Sequence, residues 1–187
     1  AAYRSLHINT SRNRMAYRDF PMPSHYPAFP HHSQIKDYFD AYLDHFGLRS
    51  RIRFECGVAS AVKRPDGVWE ITDEHGGVEE FDALLVANGH HWDPRWPEPA
   101  FPGSDVFRGR QMHAHSYDEP EEFVGQDVVV LGMGNSAMDI ATELSYTPGN
   151  VYLAMRRGAY IVPKYVAGKP LDDLTPEWLT RQIARLP

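Results

Sequence analysis

The stretch Val128–Leu144, VVVLGMGNSAMDIATEL, limits what this chain can fold into more than any other. Four apolar residues run straight into Gly132-Met133-Gly134-Asn135-Ser136-Ala137, and an amphipathic pattern follows at helical spacing. The G-x-G-x-x-A spacing has a physical reading at each position. The first glycine permits a tight strand-to-helix turn, the second lets backbone approach a pyrophosphate, and Ala137 is small enough for close helix–strand packing. The N-terminus of the following helix then offers unpaired N–H groups and a positive dipole end to phosphates. With NVYLAM (150–155) as a second strand, the spacing predicts a β-α-β unit: strand 126–131 buried in a sheet, helix 135–146, strand 150–155. A dinucleotide site of the NAD or FAD type wants Asp or Glu at the end of that second strand, for the ribose hydroxyls. Here the position reads Met155-Arg156-Arg157, and arginine pairs bidentately with a 2′-phosphate. The expected ligand is therefore NADP(H), held by Gly132, Gly134, Asn135, Ser136 and Ala137, with Arg156 and Arg157 on the 2′-phosphate.

The rest of the 187 residues sets the context. A chain that is 42% hydrophobic and 24% charged can bury a core, and a net charge of -6 argues against nucleic-acid or polybasic membrane partners. The single cysteine, Cys56, excludes an intramolecular disulfide and a CxxC redox pair, which fits a reducing cytoplasmic compartment. No stretch approaches a membrane-spanning length of apolar residues. The pairs His31-His32 and His90-His91, with His113 and His115, match no familiar zinc spacing, so no metal is expected.

Residues 1–32 are proline-rich without sustained period, and Phe20, Tyr26 and Phe29 predict a packed loop. Ile35, Tyr38, Phe39, Tyr42, Leu43 and Phe46 then predict a helix that Ser33 caps and Gly47 ends. Strand-like runs at 52–64, 68–73 and 78–88 follow, with hairpin turns at Asp66-Gly67 and Gly76-Gly77; within the last run, 83–88 reads as a strand buried on both faces. A second proline-rich connector, 89–105, marks a module boundary, and Thr175-Pro176-Glu177 predicts a final helix.

After the connector comes FRGRQMHAHSY, in which Phe107, Gly109, His113 and Tyr117 form F-x-G-x-x-x-H-x-x-x-Y. This resembles the signature of the flavin-containing monooxygenases, and the G-x-G-N-S-A turn beyond it strengthens the likeness. NTSRNRMAYRDFPMP, ANGHH and RRGAYIVPKY resemble further segments of that family, so the resemblance runs along almost the whole chain. It implies an α/β fold of two Rossmann-like, doubly wound nucleotide-binding domains, both incomplete here, with a β-meander insert. Residues 1–108 would belong to the FAD-binding domain and 109–187 to the NADPH-binding domain. The flavin's own glycine loop would precede Ala1, so the chain reads as a fragment, inactive alone.

The resemblance also implies the activity and the residues. NADPH and FAD would serve a monooxygenase that inserts one atom of O2 into soft nucleophilic nitrogen or sulfur through a C4a-hydroperoxyflavin, with a small amine or sulfide as substrate. Asn9 would be the active-site asparagine beside the flavin's reactive edge, a neutral hydrogen-bond donor suited to a peroxide. Thr10 would neighbour it on the cofactor, and Val58 would approach the FAD adenine with its backbone. Phe107, Gly109, His113 and Tyr117 would couple the domains rather than do chemistry. A Baeyer–Villiger monooxygenase shares the architecture but carries Trp-Pro/Asp where this chain has Tyr117-Asp118. A chain that only binds NADP is the rival outside enzymes. A homodimer is compatible with the composition.

Overall fold

The computed structural model describes residues 2–174, so the helix expected from Thr175 lies outside the described residues. The chain divides into two compact units, one of residues 1–39 and 91–187, the other of residues 40–90.

In the first unit, strand β1 (Val128–Leu131) and strand β2 (Val151–Ala154) pair in parallel, with Val128 opposite Val151 and Leu131 opposite Ala154. Helix α1 (Asn135–Leu144) connects them, which completes the expected β-α-β unit. Pleating sends Val128 and Val130 of β1, and Val151 of β2, toward a cluster of Tyr3, Tyr117, Phe123, Ile140 and Leu144. Leu144 is only 1% exposed, and burying a leucine side chain stabilises by about 1.5–3 kcal/mol. The opposite pleat corrects an expectation. Val129, Leu131 and Tyr152 are more than half exposed, so β1 is buried on one face and not two. Among the described residues, a single helix covers a two-stranded sheet, and one helix can close one face only.

The proline-rich start packs as a loop, though its core differs from the expected trio. Phe29 is buried, Phe20 and Tyr26 are half-buried, and Met22 and Pro30 fill the remaining interior. A four-residue helical turn, Arg12–Met15, interrupts the loop. Tyr38, 2% exposed, ties it together: its hydroxyl donates to the Phe20 carbonyl at 2.6 Å and accepts from the Tyr17 amide at 2.8 Å.

Tyr38 belongs to helix α2, His32–His45. Gly47 ends it as expected, at φ 62°, with the Leu48 amide on Leu43 O and the Gly47 amide on Asp44 O. The start is corrected. Ser33 lies inside the first turn, and His31 is the cap: its Nδ1 accepts from the Ser33 amide at 3.3 Å, while Gln34 Oε1 accepts from the His31 amide at 3.0 Å. This is the reciprocal geometry of a capping box with imidazole in the usual serine position.

The second unit carries an antiparallel meander of β3 (Val58–Lys63), β4 (Trp69–Asp73) and β5 (Val78–Phe81). Both expected turns form, with Gly67 and Gly76 at positive φ. Asp73 accepts from the amides of Gly77 and His75, and these two bonds hold its carboxyl below the usual carboxylate range. The strand expected at 83–88 does not form. Leu85 is 92% exposed and Val86 75%. A strand of that kind exists only where neighbours supply a hydrogen-bonding edge on each side, and the described residues supply none there.

Candidate nucleotide-binding site

The turn after β1 has the geometry a dinucleotide pyrophosphate requires. Gly132 stands at φ 128°, a conformation L side chains rarely adopt, and its amide reaches Ala154 O at 2.9 Å, extending the sheet into the turn. A Cβ on Gly132 would meet Ala137 Cβ at 3.8 Å, an ordinary contact, so it is the positive φ and not crowding that calls for glycine here. Gly134 occupies the N-cap of α1 at φ -78° and ψ 174°, ordinary extended backbone. Among the described residues nothing lies within 4 Å of the Cβ it lacks. The glycine therefore serves no internal packing need, and the space above it is open.

Asn135, Ser136 and Ala137 form the first turn of α1, with no side-chain cap and no acidic residue there to neutralise the positive helix end. Arg156 and Arg157 follow β2 in an exposed bend. Because β1 and β2 run parallel, with Leu131 beside Ala154, both arginines leave the sheet at the same end as the glycine turn. The donors are all of one kind, N–H groups and guanidinium, and their chemistry suits a phosphorylated dinucleotide.

Behind this surface the helix is held by contacts the sequence did not suggest. The Tyr3 hydroxyl donates to Asp139 Oδ2 at 2.5 Å, and the Tyr117 hydroxyl donates to Glu143 Oε2 at 2.8 Å. The two rings meet edge to face, with centroids 5.9 Å apart. Burial, and then the hydrogen-bonded carboxylate, pushes both phenols above the ordinary tyrosine range, so each stays a donor. Asp139 and Glu143, four residues apart on one helix face, were the available signal: a like-charge pair at that spacing needs donors. Tyr3 left no periodic trace.

The four signature positions fall close in sequence but do different work. The Phe107 ring lies so near Gly109 that a Cβ there would come 2.5 Å from ring atom Cε1. His113 caps the short helical turn 114–116, its Nδ1 accepting from the His115 amide at 3.0 Å, and its ring meets Trp96 edge-on at 6.2 Å. Tyr117 is buried against the α1 cluster. Asn9 and Thr10 are exposed in a bend of the first unit. Val58 begins β3 in the second unit, beside the irregularity in that strand's register, and is 62% exposed. Among the described residues no group of three or more His, Cys, Asp or Glu could hold a metal ion, and no helix is long and apolar enough to cross a membrane.

A family model described as flavin-binding monooxygenase-like matches residues 1–185. The chain belongs to this family. Flavin-containing monooxygenase 5 of Rattus norvegicus is 42% identical over 192 aligned residues, which cover 98% of this chain and 36% of the rat protein. The solved S-allyl-L-cysteine S-oxygenase of Allium sativum superposes with a TM-score of 0.74 at 32% identity, over 89% of this chain and 39% of that one. An open crystal structure of cyclohexanone monooxygenase superposes at 0.69 with 26% identity, over 97% of this chain and 35% of that one. The chain thus spans about a third of the length of the family members it matches. Members of the family are oxidoreductases, flavoproteins that use FAD and NADPH. The α/β class expected from the sequence is the class of these neighbours.

Proposed function

We propose that this chain forms part of an NADPH- and FAD-dependent monooxygenase that oxygenates soft nitrogen or sulfur, and that the turn at 132–137 is its NADP(H) site. In this reading residues 1–108 contribute to one Rossmann-like domain, for FAD, and 109–187 to a second, for NADPH. The observation that carries it is the open, uncapped helix end behind Gly134, with two arginines at the same end of the sheet. The amides of Asn135, Ser136 and Ala137 would take the pyrophosphate, and Arg156 and Arg157 the 2′-phosphate. NADPH supplies hydride and the flavin supplies the oxygen-activating chemistry; the protein supplies placement.

For the flavin the described residues offer an edge and not a cradle. Asn9 and Thr10 present exposed polar side chains, but β1–α1 is the one parallel strand–turn–helix unit among the described residues, and it is assigned to NADP(H). Asn9 would offer the flavin edge a neutral hydrogen-bond donor, which adds no charge there. Tyr117, where the Baeyer–Villiger pattern has tryptophan, and the sulfur-oxygenating relative at 32% identity both support the nitrogen- and sulfur-directed reading over a ketone-directed one. In the FAD-loaded protein, Asn9→Asp keeps NADPH oxidation but diverts it from oxygenated product to hydrogen peroxide. Product yield and peroxide are measured together, and unchanged coupling removes Asn9 from the site.

A further inference from the structure

Asn9 and Thr10 are the exposed pair in a segment whose anchors lie in the same compact unit as the nucleotide turn. Upstream, the Tyr3 hydroxyl donates to Asp139 Oδ2 at 2.5 Å. Ser136 sits in the first turn of α1, among the amides assigned to the pyrophosphate, and Asp139 lies one turn further along. Tyr3 is buried and meets Tyr117 edge to face. Its carbonyl accepts from the Leu6 amide at 3.0 Å, and the Arg4 amide donates to Asp118 O at 3.0 Å, which makes the first stretch a hydrogen-bonded turn. The Ile8 amide on Pro30 O at 3.0 Å then fixes the residue before Asn9. Downstream, Ser11 is 1% exposed, with its amide on Asp172 Oδ2 at 2.6 Å and its hydroxyl on Asp173 Oδ1 at 3.1 Å. Asn13 Nδ2 adds a bond of 3.0 Å to Asp173 Oδ2. Only residues 9 and 10 lie between these fixed points.

We infer that Tyr3 is a positioning residue, which couples occupancy of the nucleotide turn to the placement of Asn9 and Thr10. The inference rests on the nucleotide assignment above and adds a physical path to it. An anion drawn onto the first turn of α1 reorients that helix end, and Asp139, the partner of the Tyr3 hydroxyl, lies one turn along the same helix. The stiff turn at 3–6 and the bond at Ile8 carry that movement to the exposed pair. Coupling of this kind is reciprocal: whatever Asn9 and Thr10 touch alters NADP(H) affinity by the same factor.

The test is a titration of the 15N-labelled chain with NADP+, followed by NMR at Ser136, Ala137, Asn9 and Thr10. In the wild type all four signals shift with one midpoint. In Tyr3→Phe, which keeps the ring and removes the hydroxyl, Ser136 and Ala137 still shift while the shifts at Asn9 and Thr10 are lost. Asp139→Asn retains an oxygen acceptor for Tyr3 and keeps the Asn9 response. Asn9 shifts that persist in Tyr3→Phe, or that vanish in Asp139→Asn, overturn the coupling and leave the nucleotide site standing. A wild type in which NADP+ moves neither Ser136 nor Ala137 overturns the nucleotide site itself, so the two failures are distinguishable.

Discussion

Gly134→Val is expected to abolish NADP+ binding while leaving the protein folded. The backbone at this position, φ -78° and ψ 174°, is one that β-branched residues adopt readily. Among the described residues a Cβ there meets no atom within 4 Å, so the change adds no clash with them. Stability should fall by about 0.5–2 kcal/mol, because Gly134 is the N-cap of α1 and valine caps a helix less well than glycine. The valine methyls, however, occupy the space through which a pyrophosphate would reach the amides of Asn135, Ser136 and Ala137. A loss of more than roughly 100-fold in affinity, about 2.7 kcal/mol, is expected. Calorimetric titration beside a thermal melt separates the two effects. Unchanged NADP+ affinity in a folded variant means the pyrophosphate lies elsewhere.

The paired substitution Arg156→Ala with Arg157→Ala discriminates between cofactors. Hydrogen bonds to a charged group contribute about 1.5–3 kcal/mol, so removing the guanidinium contacts to a 2′-phosphate costs roughly 10- to 100-fold in NADP+ affinity. NAD+ lacks that phosphate and should lose little. Both arginines are exposed in a bend after β2, so their removal disturbs no core. Equal losses for the two nucleotides would reduce the pair to a general electrostatic attraction and remove the 2′-phosphate assignment. The same arginines predict that the preference for NADP+ shrinks as salt rises, because exposed charges are screened.

Local signals in the sequence were enough wherever a residue's role depends on its neighbours in the chain. The helix ended by Gly47, the hairpins at Gly67 and Gly76, and the strand–turn–helix around Gly132 each follow from spacing and backbone freedom over a few residues. Segment 83–88 shows the limit. Its run of apolar residues specifies a strand only if partners flank it, and an apolar run carries no information about whether they do. The second face of β1 is the same case: Val129 and Leu131 are apolar yet open. Of the site, the nucleotide turn and the arginines were legible because a phosphate-binding turn is contiguous in sequence. Tyr3 was not, because its partner Asp139 is 136 residues away and a single aromatic in an irregular segment has no period to betray it. The sequence points to Ser33 as the cap of α2 and the structure uses His31, since histidine is an uncommon acceptor there and serine a usual one.

Whether the turn at 132–137 holds NADP(H) is decided by a crystal structure of the protein with NADP+. The pyrophosphate is expected above Gly134, bonded to the first-turn amides of α1, with the 2′-phosphate against Arg156 and Arg157. A nucleotide bound away from that turn, or no nucleotide at saturating concentration, would contradict it.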